Sequence, residues 1–192
     1  MIDPLLLQII SLGFALLFLI AAAHKFGSRD HFRASFEAYE IVPASLSGVV
    51  TKIIPPLELL LGIGWLFFGL FAIEFKLVTL ISIGLLASYT LAIAVNLKRG
   101  RNYIDCGCSL ASSNASNADS GSQQISLGLL YRNALLIVMA IICTIPASDR
   151  SLQLIDTFGL VFSVVTLILL YGAFNQLLMN RNAINSWRKN SA

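Results

Sequence analysis

Charge is scarce in this 192-residue chain, with Asp, Glu, Lys and Arg making up only 12% of it. The remainder is 57% hydrophobic, and the mean hydropathy is +0.80. A water-soluble domain of this size could not hide so much apolar surface, so a soluble fold is excluded and the solvent is a bilayer. Cysteine is also scarce. Three thiols allow at most one bridge and one odd residue, which excludes a disulfide scaffold. Two of those cysteines supply only half a zinc site, and the two histidines, His24 and His31, lie elsewhere, so no metal centre is expected. The net charge of +3 is too small and too dispersed to hold nucleic acid. No segment repeats at a fixed period. The first residues, Met1-Ile2-Asp3-Pro4, carry no Lys or Arg, although a signal peptide wants a basic start. Leu5–Ala23 therefore reads as a retained membrane helix, despite the cleavable look of Ala21-Ala22-Ala23.

What is present is a series of long apolar runs. They predict an all-α integral membrane bundle of five helices, at Leu5–Ala23, Val49–Ile73, Leu77–Leu97, Ile125–Ile145 and Phe158–Met179. Residues 1–180 then form one transmembrane domain, and residues 181–192 a basic tail with Arg181, Arg188 and Lys189. Between the first two runs, Phe32, Phe36 and Tyr39 recur at helical spacing among Arg29, Arg33, Glu37 and Glu40. That pattern predicts a short amphipathic helix lying at the membrane surface and stopped by Pro43. Ile73–Lys76 reads as a tight polar turn, and Pro146–Thr157 as a short one.

The segment Lys98–Leu110 carries the chemistry. Cys106 and Cys108 flank a single residue, Gly107. A bridge across Cys-x-Cys closes a small ring whose S–S torsion is forced from its preferred angle, and a strained disulfide is readily exchanged. Gly107 gives the backbone the freedom that ring needs. Lys98, Arg99 and Arg101 upstream favour thiolate, while Asp105 opposes it. The plain alternative is two unconnected loop thiols. The stretch from 111 to 124 is polar and cannot bury anything. Cys143 falls ~27 Å along the fourth helix and reads as a small core residue out of reach of the pair.

Two charges lie inside apolar runs. Glu58 follows Pro55-Pro56 and stands ~13 Å into the second helix, and Arg132, beside Asn133, stands ~10 Å into the fourth. An ionisable group at such depth is a functional candidate, and tandem prolines free backbone carbonyls where protein or water covers the break. Glu58 can instead be half of a structural pair, and Arg132 can snorkel. Their similar depth predicts that Glu58 and Arg132 are partners. A small-molecule or quinone pocket near the prolines is a further alternative.

Five spans place Lys25, Arg29, Arg33, Lys52, Lys98, Arg99, Arg101, Arg181, Arg188 and Lys189 on one side, ten cations, against Lys76 and Arg150, two, on the other. The positive-inside rule puts the cysteine loop and the C-terminus in the cytoplasm and the N-terminus outside. In either orientation Lys25, Glu58, Arg132, Asn133 and the two cysteines share one half of the bilayer.

The order of Lys25, Pro43, Pro56-Leu57-Glu58 with Gly62, Asp105-Cys106-Gly107-Cys108 and Arg132-Asn133 resembles the MauE branch of the MauE/DoxX group of membrane proteins. The likeness runs over about residues 20 to 145, and Cys-Gly-Cys followed by Arg-Asn is its most specific part. The family commonly continues the motif with Phe-Gly; here Ser109-Leu110 follow. The resemblance implies a DoxX-like four-helix core with an added C-terminal helix in a bacterial inner membrane. It also implies a role in processing, transport or maturation of the small subunit of a periplasmic amine dehydrogenase, which carries a tryptophan-derived quinone and several disulfides. A thioredoxin-fold redox partner is implied as well. On this reading Cys106 and Cys108 exchange with a partner's thiols, Glu58 moves a proton and Arg132 favours a thiolate or touches the partner. Lys25, Pro56, Gly107 and Asn133 are then supporting residues. The competing expectation is a non-catalytic assembly or transport factor for the same client. A periplasmic client and a cytoplasmic cysteine loop agree only if the protein carries reducing equivalents across the membrane.

Overall fold

The computed structural model describes residues 1–71, 76–100, 127–148, 150 and 152–190. These form six helices: α1 (Pro4–Gly27), α2 (Arg29–Ala38), α3 (Ala44–Phe71), α4 (Lys76–Lys98), α5 (Leu127–Ile142) and α6 (Leu154–Asn190). Four of them, α1, α3, α4 and α6, are long and apolar enough to cross a membrane, and α5 is a shorter apolar helix of 16 described residues. Cys106, Gly107 and Cys108, and most of the turn expected at Ile73–Lys76, lie outside the described residues.

Local chemistry sets the helix ends. The Asp3 side chain accepts from Leu5 N at 2.9 Å and Pro4 occupies the first turn, so α1 starts there. The surface helix α2 is present, with Phe32 buried and Phe36 6.3 Å from it. Pro43 does not stop it, contrary to expectation. The chain reverses at Glu40, which takes a left-handed φ of 47°, and the Pro43 carbonyl accepts from Leu46 N and Ser47 N to open α3. A proline suits a helix start because its missing N–H would go unused there. The helix α3 continues through Pro55 and Pro56. The helix α6 continues to Asn190, so the basic tail prolongs the last span as helix.

The α1–α3 pairing is the frame of the molecule. The two run antiparallel, because Leu19 meets Gly62 and Leu12 meets Gly69. A Cβ added at Gly62 would lie 2.8 Å from Leu19 Cγ and 3.1 Å from its backbone nitrogen, and one at Gly69 would lie 2.8 Å from Leu12 Cγ. Small residues seven apart thus let two backbones approach closely, which is how helices associate where lipid offers no hydrophobic contrast. Between them Phe14 stacks on Trp65 at 4.8 Å, and Trp65 on Phe68 at 5.7 Å. Cys143 is buried in the same apolar core, as expected of it.

The buried stripe of α4 is unusual for a membrane helix. It reads Thr79, Ser82, Leu86, Ile93 and Asn96, with Tyr89 on the same line, so it is largely polar, while Leu77, Leu80 and Leu91 face outward. Outward residues meet lipid, so this helix is polar inside and apolar outside. The last turn of α4 packs on α5 through Ile93, Leu97 and Leu129. The helix α6 lies along α1, with Leu167 at 3.8 Å from the Cβ position of Gly13, and most of its surface is exposed, as in a helix facing lipid. At the opposite end, Ile2 bonds the chain at Pro146 and Ser148, and Arg150 reaches Asp3 at 2.6 Å and Asp156 at 2.5 Å.

Candidate functional site

Lys25, two residues from the end of α1, meets Glu58 of α3 in a buried salt bridge; the two side chains are 2% and 1% exposed. Glu58 Oε1 accepts both from Lys25 Nζ and from the Tyr89 hydroxyl, the latter at 2.7 Å. Lys25 Nζ also donates to Tyr89 Oη at 3.2 Å. The ammonium lies 5.0 Å from the centres of both the Phe32 and the Tyr89 rings, which supply a negative face to a cation out of water. Four helices therefore converge on one charge pair: α1, α2, α3 and α4. Glu58 Oε2 is buried and has no protein partner among the described residues.

The expected Glu58–Arg132 pair is not formed. Arg132, half-buried, donates to Asn175 Oδ1 of α6 at 3.1 Å and to Tyr171 Oη at 3.5 Å, and stands 5.8 Å from the Tyr171 ring. Its other terminal nitrogen is 3.5 Å from Asn133 Oδ1. Membrane depth fixes one coordinate only; which neighbour a side chain faces is set by its angle around the bundle, and Arg132 faces α6. Arg132 thus ties α5 to α6, with Asn133 beside it on the same helix, and Lys25 takes the place beside Glu58. Pro56 is exposed on α3, two residues before Glu58.

Tyr89 was not legible as a site residue. Its signal was present in the spacing of Thr79, Ser82, Tyr89 and Asn96, which set four polar side chains on one face of an otherwise apolar helix. Asn96 is fully buried and donates to Tyr39 O at 3.2 Å and to Ala92 O at 3.1 Å. Arg99 donates to Glu40 O at 3.3 Å. The α2–α3 connection is therefore held against the end of α4. Leu129 is buried beside Tyr39 and Leu97, so residues 100 and 127, between which the two loop cysteines lie in sequence, stand at that same end of the bundle.

These features define a polytopic helical membrane protein organised around a buried Lys–Glu pair. The family model of the methylamine utilisation protein MauE matches residues 3–146, and the chain belongs to that family. Among curated proteins it is similar to the methylamine utilization protein MauE of Methylophilus methylotrophus, at 36% identity over 55% of this chain and 54% of that protein. It is also similar to the protein of the same name from Paracoccus versutus, at 32% identity over 72% of this chain and 68% of that one. With the one from Paracoccus denitrificans it shares 29% identity over 77% and 74%. The match to the Methylophilus protein thus spans about half of that protein's length. No solved structure matches the chain.

Proposed function

We propose that this chain is a membrane thiol–disulfide exchange protein that supports maturation of the disulfide-rich small subunit of a periplasmic amine dehydrogenase. It works in the bacterial inner membrane with a thioredoxin-fold partner. The observation that carries the reading is the Lys25–Glu58–Tyr89 cluster, buried at the end of the bundle from which the chain leaves toward Cys106-Gly107-Cys108. A Cys-x-Cys pair, whose bridge would be strained and readily exchanged, on the segment leaving the end of the bundle that holds a buried carboxylate supports this reading. One thiolate of the pair attacks the disulfide of the oxidised thioredoxin-fold partner, giving a mixed disulfide and a partner thiolate, and the second thiol then displaces the other partner sulfur and closes the Cys106–Cys108 bridge. The partner leaves as a dithiol with two electrons and two protons, and two thiols of the client take over the disulfide by the same exchange, which returns the pair to its reduced form. Glu58 serves as the proton acceptor, with Lys25 and Tyr89 holding its carboxylate. Arg132 and Asn133 keep α5, whose first residue follows the cysteine segment, in place against α6.

The experiment is replacement of both Cys106 and Cys108 by Ser in a strain that depends on the dehydrogenase. The expected result is a small subunit that accumulates with free thiols, seen as alkylation mass shifts, and loss of amine oxidation. A purely scaffolding protein would keep both the disulfides and the activity in the double variant, and that outcome would overturn the proposal.

A further inference from the structure

We propose that a file of internal water molecules runs along the inner face of α4, connecting the buried Lys25–Glu58 pair to the end of the bundle at which residues 100 and 127 stand. Two buried acceptors, Glu58 Oε2 and Asn96 Oδ1, have no protein partner among the described residues. Both need a donor, because buried polar groups are almost always hydrogen-bonded, and an ionised carboxylate oxygen most of all. Lys25 adds the complement: an ammonium has three N–H bonds, and its hydrogen bonds to Glu58 and Tyr89 use two. Water is the one group that can donate to both acceptors and accept from the third N–H.

The two acceptors are not scattered. Asn96 lies two turns beyond Tyr89 on the inward stripe of α4, about 10 Å along the axis, which a file of about three or four waters at hydrogen-bond spacing would cover. In the opposite direction no buried side-chain acceptor is left over among the described residues: the Ser82 hydroxyl is taken up between Trp65 Nε1 and Val78 O, and Phe18, Leu61, Trp65 and Leu86 around that level are buried. The face toward Asn96 is the one that offers a file an unpartnered acceptor. Among the described residues, the charged and titratable groups bonded to it are Lys25 from α1 and Tyr89 from α4, and the Phe32 ring of α2 covers the Lys25 ammonium. Such a file would supply the proton route that exchange at the cysteines requires, but the inference stands on the two acceptors and is tested without the thiols.

The test is X-ray radiolytic footprinting of the full chain carrying Cys106→Ser and Cys108→Ser in lipid nanodiscs, since bound internal water generates hydroxyl radicals that oxidise the side chains around it. Tyr89 and Ile93 are expected to be modified, while Trp65 and Leu86 stay unmodified even though indole is an intrinsically reactive target. Asn96→Leu, which fills the space, should lower Tyr89 modification at least fivefold, and Asn96→Ala, which leaves it open, should not. Tyr89 and Ile93 as inert as Leu86, or an Asn96→Leu protein labelled like the parent, would overturn the proposal. If Asn96→Leu does not fold, the contrast between Tyr89 with Ile93 and Trp65 with Leu86 decides the matter alone.

Discussion

Removing one member of the Lys25–Glu58 pair should harm the protein more than removing both. Each side chain is almost wholly out of solvent, so truncating either leaves an uncompensated charge, a loss of about 3–5 kcal/mol in buried pairs. The cost of a single charge on membrane insertion scales, about 2.5–3.5 kcal/mol, sets a similar floor. The two truncations are not equivalent. In Glu58→Leu the ammonium keeps the Tyr89 hydroxyl and two ring faces, each at 5.0 Å, which offset about half of the loss at about 0.5–2 kcal/mol apiece. In Lys25→Met the carboxylate keeps only the Tyr89 donor, so this variant belongs at the upper end of the range. The double change to an apolar pair should return to within about 2 kcal/mol of the parent, because well-packed hydrophobic replacements of buried ion pairs are often neutral. The assay is the folded fraction recovered by size exclusion after graded heating in detergent, for the parent, both singles and the double. A double variant as poor as the sum of the singles would refute the pairing. As an internal control, Glu58→Leu combined with Arg132→Gln should be additive, since Arg132 bonds Asn175 and Tyr171 of α6 while Glu58 is paired with Lys25.

The glycine seam gives a second prediction: Gly62→Ala or Gly69→Ala should each lower stability by about 1–3 kcal/mol through forced separation of α1 and α3, whereas Gly48→Ala, with nothing within 4 Å of the added carbon, should cost nothing in the same melts. A third concerns pH. The hydrogen bond from Arg33 holds the Glu37 carboxyl below its ordinary range, with Ser47 helping and burial opposing. A depressed carboxyl contributes stability that is present above its unfolded pKa and lost as pH falls through the folded one. The melting difference between parent and Glu37→Gln should therefore be present near neutrality and vanish in acid below the ordinary carboxylate range. Fourth, an impermeant maleimide should label Cys106 and Cys108 from one membrane face only, inverted vesicles if the ten-to-two cation bias holds, and leave buried Cys143 unlabelled; labelling from the outside of intact cells would reverse the orientation.

The spans were legible because about twenty apolar residues in a row have one solution in a bilayer, and each of the long runs became a helix, all but the last within a few residues of its expected ends. The surface helix was legible from the spacing of its aromatics. The partner of Glu58 was not. Apolar patterning gives position along the membrane normal, but a helix surrounded by lipid on most sides carries little signal for which face meets which neighbour, and that angle separates Lys25 from Arg132. Gly62 and Gly69 held the missing information, since glycines seven apart mark the face that accepts another backbone, and that face is one turn from Glu58. Two ends were misjudged: Pro43 looked like a stop and is a start, and the last helix, expected to end at Met179, runs on to Asn190.

The two ends of the bundle are held by different kinds of contact, and this decides which of them can yield. The end with the N-terminus is strapped by backbone bonds from Ile2 and by Arg150 between two carboxylates. At the other end the α2–α3 connection is held to α4 by two side chains that both donate to main-chain carbonyls, Asn96 to Tyr39 and Arg99 to Glu40. Both acceptors are main-chain carbonyls, so these two hydrogen bonds can be removed by side-chain substitution from the α4 side. Asn96→Ala removes a buried hydrogen bond worth about 1 kcal/mol, which corresponds to about a fivefold rise in the open population of whatever it holds shut. Hydrogen exchange read by mass spectrometry should therefore quicken about fivefold over residues 39–46 in Asn96→Ala, and more in the double variant with Arg99→Ala. The α1–α3 seam around Gly62 should exchange as in the parent, because none of its contacts involves either residue. Unchanged exchange over 39–46, or equal quickening along the seam, would show that the connection is held by something other than these two donors.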